Sequence, residues 1–132
     1  MDKTGAAYQR GLALRKALMG PEQVERSQAK LTPFNEEWMD FVTQYAFGEV
    51  WSRPGLDKKT RHMLTIAMLT ALGRLDELQA HIRLTPNTGV SRDELKEVLM
   101  QAAIYAGVPA AMSAFNRALA VFAEMDQEKA AP

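Results

Sequence analysis

The chain has 132 residues, 47% hydrophobic, 24% charged and 8% aromatic, the make-up of one globular domain that buries roughly two-thirds of its unfolded surface. Sixteen Lys and Arg balance sixteen Asp and Glu, so there is no basic field to hold a phosphate backbone and nucleic acid is not an expected partner. Without cysteine there is no disulfide, thiolate nucleophile, Cys-ligated zinc or CxxC redox pair.

In chain order, the opening MDKTGAAYQRG has no apolar stretch behind its charges, and no run nears the roughly 18 apolar residues that span a bilayer. The expectation is a soluble, cytoplasmic protein without a membrane partner. Tyr8, Leu12, Leu14 and Leu18 line one side of a helix over 6–19, which Gly20-Pro21 stops, and a short helix follows to Lys30. Thr32-Pro33 reads as an N-cap with proline in the first turn, opening a helix that carries Phe34, Trp38, Phe41, Val42 and Tyr45 up to Gly48. Asp57 is placed to cap the next helix, whose run from Met63 to Leu72 is apolar nearly all round and is expected to be central or covered by another subunit. Gly73 ends it.

Leu75, Leu78 and Ile82 share a face of a short helix over 75–84, limited by Pro86 and Gly89. Ser91-Arg-Asp-Glu94 is a capping box, in which the serine oxygen takes a backbone N–H and the glutamate reaches back to the serine amide. The helix it starts carries Leu95, Val98, Leu99, Ala102 and Tyr105 to Gly107, and Pro109 opens a last helix with Phe115, Leu119 and Phe122. The expected fold is all-α: one compact domain over 1–132, about six or seven helices, with a frayed tail from about residue 127.

Both histidines, His62 and His81, are candidates for chemistry. Glu77 and His81 are four apart on one helix and lie within reach of each other, either as an acid/base pair or as a surface contact worth a few tenths of a kcal/mol. Partial burial and a neighbouring carboxylate would pull the pKa of His81 in opposite directions. Arg83 lies about 200 degrees around the helix from His81, so it joins such a unit only across a subunit or from a frayed end. His62 reads as a packing or capping residue. No HxxxH or HExxH spacing occurs, and no metal is expected. The Trp51-Ser-Arg53-Pro-Gly55-Leu56 turn joins a large aromatic to a guanidinium that can grip a carboxylate in two places, which suits a substrate rim; a tryptophan plugging a helix junction is the plainer reading. Met63, Met68, Met100 and Met112 fit core filling, with no cofactor box.

Several segments together carry a resemblance: Leu31-Thr-Pro-Phe-Asn-Glu-Glu37, Trp51 to Leu56 followed by Thr60-Arg61, Thr65-Ile-Ala-Met-Leu69, Glu77-Leu-Gln-Ala-His81-Ile-Arg83, and Glu94 to Leu99 leading into Ala103-Ile-Tyr-Ala-Gly-Val-Pro-Ala-Ala111. Over residues 8 to 124 the chain resembles the 4-carboxymuconolactone decarboxylase family. The resemblance implies an all-helical fold in a ring-shaped homo-oligomer, typically a hexamer. It also implies decarboxylation of 4-carboxymuconolactone, a small carboxylated lactone, to 3-oxoadipate enol-lactone and CO2 in protocatechuate breakdown, with no cofactor. His81 and Glu77 correspond to the family's catalytic pair, with Trp51, Arg53, Arg61, Arg83 and Tyr105 expected at the substrate. A thiol-dependent peroxidase branch carries a CxxC pair where this chain has Arg74 and Glu77, which puts that chemistry out of reach. The stretch from Arg83 to Gly89 departs from the family pattern, leaving as the alternative a same-fold helical oligomer that binds or transforms a different small carboxylated lactone or related metabolite, without peroxidase activity.

Overall fold

A computed structural model describes residues 2–132. All regular structure among them is helical: α1 (Ala6–Met19), α2 (Pro21–Ala29), α3 (Glu36–Phe41) running directly into a π-helix (Val42–Trp51), α4 (Lys58–Leu72), α5 (Leu75–Arg83), α6 (Thr85–Thr88), α7 (Arg92–Ala106) and α8 (Val108–Ala130). These elements outnumber the six or seven expected because the third helix divides into α3 and the π-helix, and because Pro86 starts a separate single turn instead of only ending α5. No helix is long and apolar enough to cross a membrane. The chain forms two compact units, Met1–Asp57 and Lys58–Pro132.

In the first unit α1 lies against the π-helix. Gly11 and Gly48 meet there: a Cβ on Gly11 would run into the Thr43 carbonyl, and one on Gly48 into the Ala7 carbonyl. Because the backbones touch, the side chains at the contact are small or polar. Thr43 and Asp40 are buried, and buried Arg15 donates through Nη1 to Thr43 Oγ1 at 3.0 Å. The aromatic stripe that the periodicity lines up on one side faces outward, with Phe34 97% and Trp38 62% exposed. The helix also begins later than its Thr32-Pro33 signal. Asn35 Oδ1 accepts from the Thr32 amide, the Thr32 hydroxyl accepts from the Phe34 amide, and the resulting turn holds the chain out of helix until Glu36.

The second unit is built on Ile66, Leu78, Ile82, Leu95, Leu99, Ala114, Ala118 and Val121, contributed by α4, α5, α7 and α8. The capping box forms as the sequence predicts: Ser91 Oγ accepts from the Glu94 amide and Glu94 Oε1 from the Ser91 amide, both at 3.0 Å. Gly73 and Gly89 end α4 and α6 at φ of 72° and 84°, a region that disfavours a Cβ. Helix α8 continues to Ala130, past the point near 127 where fraying is expected. Its last turns are tied down by Arg83 to Glu124 and Glu128, and by Arg92 to Asp126. Helix α4, the most apolar segment, buries His62, Ile66 and Thr70 on one line and leaves Leu64, Met68 and Leu72 exposed on another.

Candidate active site

The two histidines meet. His62 on α4 and His81 on α5 are nineteen residues apart in sequence, yet His62 Nε2 lies 3.1 Å from His81 Nδ1, the rings edge to face with centroids 5.2 Å apart. On the other side of its ring, His62 Nδ1 lies 2.5 Å from Thr88 Oγ1 at the end of α6. Three consecutive elements of the second unit thus contribute one polar side chain each to a short chain of hydrogen bonds.

His62 is 1% exposed. Burial, and secondarily the neighbouring His81, push its pKa down to about 4, so it is neutral at physiological pH. His81 is half-buried, and burial lowers its pKa as well. His62 holds His81 by Nδ1, leaving Nε2 as the ring nitrogen not engaged by His62. A half-buried imidazole with one nitrogen anchored is suited to receiving and delivering a proton at the other.

The other sequence-marked residues lie around this chain in different ways. Glu77 is exposed in the first turn of α5, and no hydrogen bond joins it to His81; it has the right helical spacing but not the contact. Arg83, at the end of α5, is bonded to Glu128 at 2.9 Å and to Glu124 at 2.5 Å, and the bond to Glu128 is the chief cause of its raised pKa. Arg61 is half-buried on α4, directly before His62. Tyr105 is 85% exposed and lines an apolar groove of about 640 Å³ between α4 and α7, with Met63, Leu64, Met68 and Val98; His81 is not among the lining residues. In the first unit, Trp51 ends the π-helix half-buried, and Arg53 follows it, exposed, in the turn.

Sequence spacing assigned His81 a partner one helical turn away, whereas the structure supplies one from a neighbouring helix. No single-chain pattern links positions 62, 81 and 88. The one available signal is that a histidine stands where the periodicity of α4 calls for a buried residue.

Comparison with known proteins gives a consistent result. The sequence model of the Carboxymuconolactone decarboxylase family matches residues 36–120. A 4-carboxymuconolactone decarboxylase of Acinetobacter baylyi is 46% identical over 118 residues, 89% of this chain and 88% of that one. The nitrosuccinic acid decarboxylase npaB of Metarhizium robertsii is 36% identical over 107 residues, 81% of this chain and 75% of that one.

Proposed function

The chain belongs to the carboxymuconolactone decarboxylase family, and from that membership we propose that it is a carboxy-lyase converting 4-carboxymuconolactone to 3-oxoadipate enol-lactone and CO2 without a cofactor. The observation that carries this reading is the 46% identity, across nearly the whole of both chains, with a protein named for that activity.

The chemistry asks little of a protein. The departing carboxylate sits γ to the lactone carbonyl across a double bond, so the electron pair released with CO2 flows into that carbonyl as a furanolate. What remains is to hold the carboxylates, stabilise the oxyanion and deliver a proton to the carbon α to the carbonyl. In the proposed mechanism His81 delivers that proton from Nε2. A substrate carrying two carboxylates favours the imidazolium against the burial that disfavours it. Arg61 and Arg53 are proposed to bind substrate oxygens, and Trp51 and Tyr105 to contact its apolar faces.

We also propose that the chain works in the cytoplasm as a ring-shaped homo-oligomer, hexameric by resemblance. The exposed apolar side chains along α4 and α7, among them Leu64, Met68, Ile104 and Tyr105, support association. Sedimentation of the dilute and concentrated protein tests it; a monomer at all concentrations overturns it.

The activity is tested by incubation with 4-carboxymuconolactone, following CO2 release and loss of lactone absorbance. The folded chain is expected to turn over, and His81→Asn to lower turnover by about 10²-fold or more. A folded chain that leaves the lactone intact overturns the substrate, and near-full turnover by His81→Asn overturns the proton donor.

A further inference from the structure

His62 is a sealed titratable side chain that the mechanism above does not use, and its setting is specific. Each ring nitrogen faces a polar atom: Nδ1 meets Thr88 Oγ1 and Nε2 meets His81 Nδ1. A neutral imidazole has one donor and one acceptor nitrogen, so what it offers His81 depends on what Thr88 does. The Thr88 hydroxyl has two acceptors within reach, His62 Nδ1 at 2.5 Å and the Thr85 carbonyl at 3.3 Å. Turned toward His62, it donates to Nδ1, and His62 Nε2–H then donates to a bare His81 Nδ1. Turned toward Thr85, it accepts from His62 Nδ1–H, and His62 Nε2 then accepts from His81 Nδ1–H.

We infer that His62 is the positioning residue for His81: it holds the Nδ1 edge of the His81 ring in both the neutral and the protonated state, so that Nε2 alone exchanges protons with substrate. The inference rests on the reading of His81 as proton donor. The proton balance is simple. The His81 imidazolium gives its Nε2 proton to the furanolate carbon and becomes neutral, keeping Nδ1–H on His62. Solvent returns the proton at Nε2 for the next turnover. His62 carries no net charge at any stage, in keeping with its burial. Fixing one nitrogen also fixes the ring plane, which confines Nε2 to the short approach that proton transfer to carbon requires.

The test uses two variants that differ in reach rather than polarity. The carboxamide of His62→Gln reaches the position of Nε2 and can donate to or accept from His81. That of His62→Asn reaches only the position of Nδ1 and keeps Thr88 while losing His81. Expected are a kcat within about threefold of the parent for His62→Gln, and a kcat at least tenfold lower for His62→Asn with KM within about threefold. In a His81→Asn background the two should become indistinguishable, because the residue they act through is gone. Equal kcat for the Gln and Asn variants in the parent, or a loss by His62→Asn that persists in the His81→Asn background, overturns the positioning role. Near-full turnover by His81→Asn alone overturns instead the reading on which it rests.

Discussion

Gly11 stands against Gly48 where α1 meets the π-helix, so closely that a Cβ on Gly11 would lie 2.9 Å from the Gly48 nitrogen in addition to meeting the Thr43 carbonyl. Backbone atoms cannot step aside as a flexible side chain does, so Gly11→Ala or Gly48→Ala must push two helices apart. Alanine is the better helix former by about 1 kcal/mol, yet the expected net effect is a loss of about 2 kcal/mol or more. Urea denaturation measures it; a stability equal to or above the parent's would mean that the helices do not cross at this distance in solution.

The buried His62 imposes a pH dependence on stability. Its pKa falls from about 6.5 in the unfolded chain to about 4 in the folded one, so between those values the unfolded chain binds a proton that the folded chain refuses. Stability is therefore full above pH 6.5 and declines on acidification toward pH 4, by about 3 kcal/mol from this residue at most. Denaturation midpoints at pH 7.5, 5.5 and 4.5 should fall less steeply in His62→Gln than in the parent. Parallel slopes would show that His62 is protonated as readily in the fold as outside it.

Arg83 makes its ion pairs to Glu124 and Glu128 on the surface, with 39% of its own side chain exposed. Exposed pairs are worth at most about 1 kcal/mol, so Arg83→Gln should cost less than that in thermal stability. Its steady-state kinetics decide the second question. A kcat/KM within about threefold of the parent is expected if the guanidinium stays with α8, while a KM raised tenfold would place it on the substrate's carboxylate, as the family resemblance implies.

Removing the cap of α7 should separate folding from chemistry. Ser91→Ala deletes the acceptor for the Glu94 amide and should cost about 1 kcal/mol. The kcat of the folded fraction should not change, since neither partner belongs to the histidine chain. A matching fall in kcat would tie the start of α7 to catalysis.

Much of this molecule is written locally and could be read there. The start and end of α1, the capping box at Ser91, the stop at Gly73 and the break at Gly107 each depend on residues within one or two turns. Helix α3 starts later than Thr32-Pro33 predicts because the Asn35 side chain takes the Thr32 amide and the Thr32 hydroxyl takes the Phe34 amide, closing a turn ahead of the helix. The outward aromatic stripe and the π-helical widening escape prediction for a different reason. Each belongs to packing that no local pattern records; the π-helix, for one, meets α1 at two glycines thirty-seven residues apart. In the candidate site, His81 was legible as one of two histidines on a helix beside a carboxylate. Its hydrogen-bond partner is not legible, since helix packing alone brings His62 of α4 to it, and Thr88 of α6 to His62.

Helix α4 inverts what a hydropathy plot would say of it. His62 and Thr70, two of its polar members, lie inside, the Thr70 hydroxyl donating to the Ile66 carbonyl at 2.8 Å, while Leu64, Met68 and Leu72 lie outside. A mutational scan with glutamine should therefore lose folding at 66 and 70, keep it at 62, where the carboxamide can take up the imidazole's hydrogen bonds, and keep it at 64, 68 and 72. Polar substitutions in the stretch that looks most like the interior would thus spare the fold of one chain and be felt instead in how copies of it associate.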